Sequence, residues 1–572
     1  MLLRLLLAPL VLLVRALLFP LRAFRRARAA PRGALVEIRL EGLVRETPAR
    51  PRRMWPPRLV LRRERVREVH VRTLRRVIDD VLADPRCAGV VLTVRSLGGG
   101  WASLSALREE LVRVRVAGRR LVAWLPEGGG NRELYVASVA TQIIVPRTAD
   151  VALVGPKVEA HYARRALDKI GIEVELHARK EFKSAGDRVA RDGRSDADRL
   201  QNEALLDAVS DALCAAIATG RGVDEARVRA WIDQGPTHGE IARERGLVDL
   251  CAHDDDLPTV LAAPIVPAVS YVARRGTFRK PYRLRGPRVV GIVEVHGAIG
   301  STPTPIGQAL GPLAIAERVI ADLRTAERDP RVAAVILDVD SPGGTVGASD
   351  AIWAAAHRLA AKKPLVVRMG DVAASGGYWI AVAAKTIVAR PLTITGSIGV
   401  VAVRPIAARL AETIGVSRDV IARGRFADLD ALTRVPSEEE HALFAQEIDA
   451  HYAAFVAHVA VGRGKTPDQV ELLARGRVWT GAAALEQGLV DHLGGLDEAL
   501  AAVRRQLGAV AVDPEPRVIV GTPRSSRDPL PRAMVSIAAL LPHSVREVLA
   551  PIVVALGDRA RVAAIALVPS PR

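Results

Sequence analysis

The residues able to do chemistry cluster in two glycine-rich turns and one short lysine-bearing segment. The first turn, Asp340-Ser341-Pro342-Gly343-Gly344-Thr345, directly follows a run over 335–339 with the pattern of a buried strand. Adjacent glycines at a strand-to-helix junction present backbone N–H groups without side-chain cover, as an oxyanion site requires. The second turn, Ala373-Ala374-Ser375-Gly376-Gly377-Tyr378, follows a strand pattern over 364–369 and opens an apolar helical run. Small neighbours leave the Ser375 hydroxyl accessible, and a helix start favours developing negative charge. A lone serine in such a turn is usually a helix cap; the closeness of the two turns is what gives the catalytic reading weight. A serine nucleophile needs a base. The next histidine after Ser375 is His441, in the acidic stretch Ser437-Glu438-Glu439-Glu440-His441, which reads as a solvated helix face. Buried lysine can serve because burial lowers its pKa, whereas arginine stays protonated. Of 82 Lys plus Arg only 9 are lysine, so Arg179-Lys180-Glu181-Phe182-Lys183-Ser184-Ala185 stands out.

The elements that must position these groups occur twice. Asp84-Pro85-Arg86-Cys87-Ala88-Gly89-Val90-Val91-Leu92 returns as Asp329-Pro330-Arg331-Val332-Ala333-Ala334-Val335-Ile336-Leu337. Gly246-Leu247-Val248-Asp249 likewise returns as Gly488-Leu489-Val490-Asp491, and all such matches share an offset of 242–245 residues. A near-constant offset means duplication. The divisions that follow are a leader at 1–32, a first copy at 33–265, a linker at 266–286, a second copy at 287–510 and a C-terminal extension at 511–572. Within each copy, short Val/Ile-rich runs alternate with Ala-rich amphipathic stretches, which predicts an α/β unit of parallel strands and crossover helices. The first copy has Gly128-Gly129-Gly130 where the second carries Ser375, and the second has Ala427 where the first carries Lys183. Each half thus offers one group that its twin lacks, the pattern of a composite site.

With 572 residues, 49% hydrophobic and 25% charged, the chain is globular and long enough for more than one folding unit. Cys87, Cys214 and Cys251 are too scattered for a disulfide framework or a zinc knuckle. The net charge is +19, but residues 1–76 contribute +15 of it, leaving a nearly neutral body. That distribution favours a membrane surface over nucleic acid. Residues 1–21 are almost wholly apolar, interrupted by Arg4 and Arg15, and are followed by Arg22, Arg25, Arg26, Arg28 and Arg32. On a helix this pattern leaves an apolar face opposite a basic stripe, and it predicts a retained N-terminal membrane-anchor or interfacial helix.

Ser341-Pro342-Gly343-Gly344, the run 373–379 ending in Tyr378-Trp379, Thr395-Gly396-Ser397-Ile398-Gly399 and Phe182-Lys183-Ser184-Ala185 resemble the long, internally duplicated signal peptide peptidases of the protease IV type, peptidase family S49. The resemblance covers 33–510. It implies two tandem crotonase/Clp-protease-like repeats, with Ser375 as nucleophile, Lys183 as general base, Ser397 orienting the lysine, and Gly343, Gly344 and Gly376 as oxyanion donors. It further implies a membrane-associated serine endopeptidase of the bacterial inner membrane, acting on hydrophobic peptides such as cleaved signal peptides. The expected assembly is a homotetramer that touches membrane lipids through the N-terminal segment. No metal, cofactor or nucleic acid is implied. The chain departs from the pattern at Gly98-Gly99-Gly100, which replaces the Pro-Gly-Gly turn in the first copy. Two other functions remain open: a crotonase-type acyl-CoA enzyme, and a catalytically silent membrane scaffold. Covalent labelling of Ser375 by a fluorophosphonate separates the peptidase from both.

Overall fold

A computed structural model describes residues 17–20, 26, 28–47, 67–276, 287–301, 313–521 and the backbone of 563–565. Most of the expected anchor at 1–32, the linker positions 277–286 and residues 522–562 of the extension lie outside the described residues. Among the described residues no helix is long and apolar enough to cross a membrane.

The described residues fall into two compact units, those within 1–157 and 207–286 and those within 158–206 and 287–570. In chain order the first unit begins with Ala34–Arg45 (β1), Cys87–Gly98 (β2), Arg120–Trp124 (β3) and Gln142–Val145 (β4). Glu173–Arg179 (β5) belongs to the second unit, after which Leu250–Cys251 (β6) and Ile265–Pro267 (β7) complete the first. The first unit's sheet is wholly parallel along the order β6-β4-β3-β2-β1-β7.

The second unit continues with Val289–His296 (β8), Val332–Ser341 (β9), Gly343–Thr345 (β10), Leu365–Ala374 (β11), Thr386–Ala389 (β12), Ile394–Gly396 (β13) and Val400–Ile406 (β14). Val478–Thr480 (β15), His492–Leu493 (β16), Arg517–Val518 (β17) and Ala563–Ile565 (β18) follow. Here β16-β12-β11-β9-β8-β17 are parallel neighbours, strand for strand the order of the first unit. A second sheet places β10, β18, β14 and β5 side by side.

The run 335–339 forms a central strand because both faces of β9 are covered. Val335, Leu337 and Val339 enter one apolar cluster, while Ala334 and Ile336 enter another under the helix Leu496–Leu507. A fully buried side chain such as Ile336 contributes roughly 1.5–3 kcal/mol. The long helix Glu438–Arg463 starts at a capping box between Ser437 and Glu440 and stops at Gly464, whose φ of 60° suits a left-handed cap.

Packing redraws three sequence boundaries. Residues 158–206, placed in the first copy by the repeat, belong to the second unit because β5 pairs antiparallel with β14 from Glu173↔Ile406 to Arg179↔Val400. The beginning of the expected linker is structured: β7 extends the first sheet, and the helix Ala268–Arg275 buries Tyr271, whose hydroxyl donates to Asp80 O at 2.9 Å. The extension is not wholly separate either, since β17 adds to the edge of β8.

Candidate active site

All the candidate side chains lie in the second unit. Strand β11 ends at Ala374, and Ser375 follows at φ 54°, ψ −117°, a conformation that costs a non-glycine residue energy. It is held by its own N–H donating to Gly396 O (2.8 Å) and its carbonyl accepting from Trp379 N (2.8 Å). The helix Gly376–Ala381 begins immediately after, so the Gly376 N–H is among the donors a helix start leaves without an intrahelical partner. Gly376 and Gly377 are required by space: a Cβ on Gly376 would meet Ser349 Oγ at 2.4 Å, and one on Gly377 would meet Ser341 O at 2.8 Å.

Lys183 follows β5 and stands immediately before the short turn Ser184–Gly186. Its backbone is fixed on both sides, by Phe182 N donating to Arg475 O (3.1 Å) and by Ser184 Oγ donating to Asp198 Oδ1 (2.6 Å). The side chain is 2% exposed, and its Nζ lies 2.7 Å from Ser375 Oγ, 2.9 Å from Ser397 O and 3.0 Å from Ser397 Oγ. Ser397 reaches it from a φ of 51°, pinned by donation of its N–H to Arg477 O at 2.7 Å. Burial pushes the Lys183 amine well below the ordinary lysine value of 10.5.

Of the three expected oxyanion glycines, Gly343 donates its N–H to Ser341 Oγ at 3.1 Å, so that amide is already engaged. Gly344 N lies 3.1 Å from where a Cβ on Gly376 would stand, which places the Gly344 and Gly376 backbones together. Alongside them, the backbone of β18 lies antiparallel to β10, pairing Gly343↔Ile565, Gly344↔Ala564 and Thr345↔Ala563, and it also pairs with Val401 of β14.

Sequence reasoning passed over several supporting residues. A Cβ on Gly476 (φ 83°) would lie 2.5 Å from Lys183 N, and Gln201 ties Phe182 O to Val478 N. Ser341 and Ser349 are fully buried beneath the glycine turn. A glycine flanked by Arg475 and Arg477 is the one local signal for the first; the others show only once distant strands are paired. His441, read as a solvated face, is half-buried and bonded to Glu175.

Fold and geometry together define an α/β protein with a buried serine–lysine pair, the serine at the end of a parallel strand and the lysine just past an antiparallel one. The chain belongs to peptidase family S49: the family profile matches residues 115–264 and 357–510. It is 33% identical over 432 residues to the chloroplastic serine protease SPPA of Arabidopsis thaliana, covering 74% of this chain and 64% of that one, slightly under two thirds. Protease 4 of Salmonella typhi is 31% identical over 432 residues, covering 73% and 69% of the two chains. Protease 4 of Haemophilus influenzae is 28% identical over 437 residues, covering 73% and 70%. A ClpP1 variant from Listeria monocytogenes aligns with 36% of this chain and 94% of its own at 17% identity, with a TM-score of 0.24.

Proposed function

We propose that the chain is a membrane-associated serine endopeptidase with a Ser375–Lys183 dyad, cleaving extended hydrophobic peptides such as released signal peptides. The observation that carries this reading is the 2.7 Å contact between Lys183 Nζ and Ser375 Oγ, made where burial disfavours the ammonium. A neutral amine has two N–H donors and one lone pair. It donates to Ser397 O and Ser397 Oγ, which leaves the lone pair to accept from the Ser375 hydroxyl.

As Ser375 Oγ attacks a peptide carbonyl, its proton passes to Lys183 Nζ and the oxyanion forms beside the Gly344 and Gly376 amides. Collapse breaks the C–N bond, and Lys183 returns the proton to the leaving amine. Water then attacks the ester with Lys183 again as base, releasing the acid and restoring the serine. The role of Ser397 in this scheme is to aim the amine. Strand β18 supports an extended substrate, because it shows that a chain segment fits antiparallel between β10 and β14. The leader at 1–32 would supply the membrane contact, the strand order common to both units supports their origin as tandem crotonase-like repeats, and homotetramer assembly belongs to the same proposal.

The test is to incubate purified protein with an apolar peptide and with a fluorophosphonate. Cleavage together with covalent mass on Ser375 is expected, without acyl-CoA turnover. Acyl-CoA turnover with an unlabelled Ser375 would replace the peptidase by an acyl-CoA enzyme. Peptide binding with neither cleavage nor label would leave a scaffold. Because β18 lies along β10, ending the chain after Gly521 is expected to lower KM for the peptide several-fold with kcat little changed. An unchanged or raised KM would show that this segment does not compete with substrate.

A further inference from the structure

Away from the serine–lysine pair, a second group of chemically capable side chains gathers on β5. Its alternation places Glu173, Glu175, His177 and Arg179 on one face. Across from them, His441 projects from the first turn of the helix Glu438–Arg463. Glu175 Oε1, His177 Nε2 and His441 Nδ1 lie within 4.8 Å of one another. His441 Nδ1 is 2.5 Å from Glu175 Oε1, and His177 Nε2 bonds the same oxygen. Two imidazoles therefore converge on one carboxylate oxygen, while the other, Oε2, is buried without a hydrogen-bond partner. Arg404 Nη1 stands 3.9 Å from Oε2, and that guanidinium donates to the Leu429 and Ala431 carbonyls. The Phe444 ring packs edge-on at 5.2 Å and fixes the His177 plane.

We infer that Glu175, His177 and His441 form a binding site for a divalent transition-metal ion, zinc foremost, which clips β5 to the helix Glu438–Arg463. Two imidazole nitrogens and one carboxylate suit zinc, cobalt or nickel and not magnesium or calcium, which prefer all-oxygen shells. Ligand bonds of about 2.0–2.2 Å set the three donor atoms roughly 3.4 Å apart in a tetrahedral arrangement. Rotating the Glu175 carboxylate back by about 1 Å, within the broad range of its terminal torsion, opens that space. Three protein ligands leave one position for water. The side chains of Glu175, His177 and His441 are 11%, 18% and 39% exposed, so an ion reaches the group from the His441 side. The clip holds the strand whose end at Arg179 leads into Lys183, so bound metal stabilises the segment that carries the amine.

The experiment takes the full chain, stripped with a chelator, and measures thermal unfolding with and without zinc, then the visible spectrum with cobalt. At zinc about a hundredfold above Kd, Tm is expected to rise by about 5 °C. The His177→Ala/His441→Ala variant should lose that rise. Cobalt should give the ligand-field bands of a four-coordinate site without a thiolate charge-transfer band, which excludes Cys87, Cys214 and Cys251 as the ligands. His441→Gln alone, a change on a half-exposed helix turn, serves if the double variant does not fold. No rise in the wild type, an equal rise in either variant, or a thiolate band would each overturn the site.

Discussion

Lys183→Ala and Lys183→Arg are each expected to lower kcat/KM for peptide hydrolysis by about 1,000-fold or more. Alanine removes the amine placed 2.7 Å from Ser375 Oγ. Arginine keeps a charge but offers no lone pair, because the guanidinium does not deprotonate in proteins. It must also fit a larger head into a space where Lys183 is 2% exposed. Ser375→Ala should fall by a similar factor. The Ser375→Ala/Lys183→Ala pair should be little worse than either change alone, since two groups serving one proton transfer fail together. Steady-state kinetics on an apolar peptide, with circular dichroism to confirm folding, is the measurement. Activity within tenfold of wild type in any of these variants would remove that residue from the chemistry.

The second large effect is on stability. Asp338 lies on β9 opposite Arg368 on β11, and the register brings Arg368 Nη1 to 2.8 Å from one carboxylate oxygen and His296 Nε2 to 2.6 Å from the other. Burial by itself would raise the Asp338 carboxyl, yet Arg368 and His296 together hold it below its usual range. Removing the carboxylate leaves the Arg368 guanidinium and the His296 imidazole without the buried acceptor they share. Asp338→Ala is therefore expected to reduce the unfolding free energy of the second unit by about 3–5 kcal/mol. Asp338→Leu combined with Arg368→Met should recover most of that loss, because an apolar pair of similar volume needs no desolvation of charge. Urea unfolding of the three proteins decides the matter. A loss under about 1 kcal/mol in the single variant would mean that water reaches the pair. The consequence extends to the site, since β9 ends at Ser341 and β11 ends beside Ser375.

How much of this was legible in the sequence depends on whether a feature is local. Ser341-Pro342-Gly343-Gly344 and the turn around Ser375 were legible because glycines without space for a Cβ and a serine between strand and helix leave a signature within a few residues. The central strands were legible because both faces of a parallel strand are apolar, as at β9. The transfer of 158–206 to the second unit was not, because it rests on pairing β5 with β14, more than 200 residues later. His441 misled for the same reason: three neighbouring glutamates describe a solvated face, and nothing nearby announces Glu175, 266 residues earlier. Asp338 hid inside an apolar run, where a single carboxylate carries no sign of the arginine one strand away. The lysine was found through scarcity and through comparison of the two copies, whereas Gln201, which shapes its seat, belongs to an ordinary-looking segment.

The most direct measurement is the rate of covalent labelling of Ser375 by a fluorophosphonate as a function of pH. The neutral amine is the form that accepts the serine proton, and burial lowers the pH at which that form appears. Labelling should rise with pH through a single ionisation well below 10.5, level off above it, and lose this limb in Lys183→Ala. A limb at the ordinary lysine value, or the same limb in the variant, would contradict a neutral Lys183 as the base.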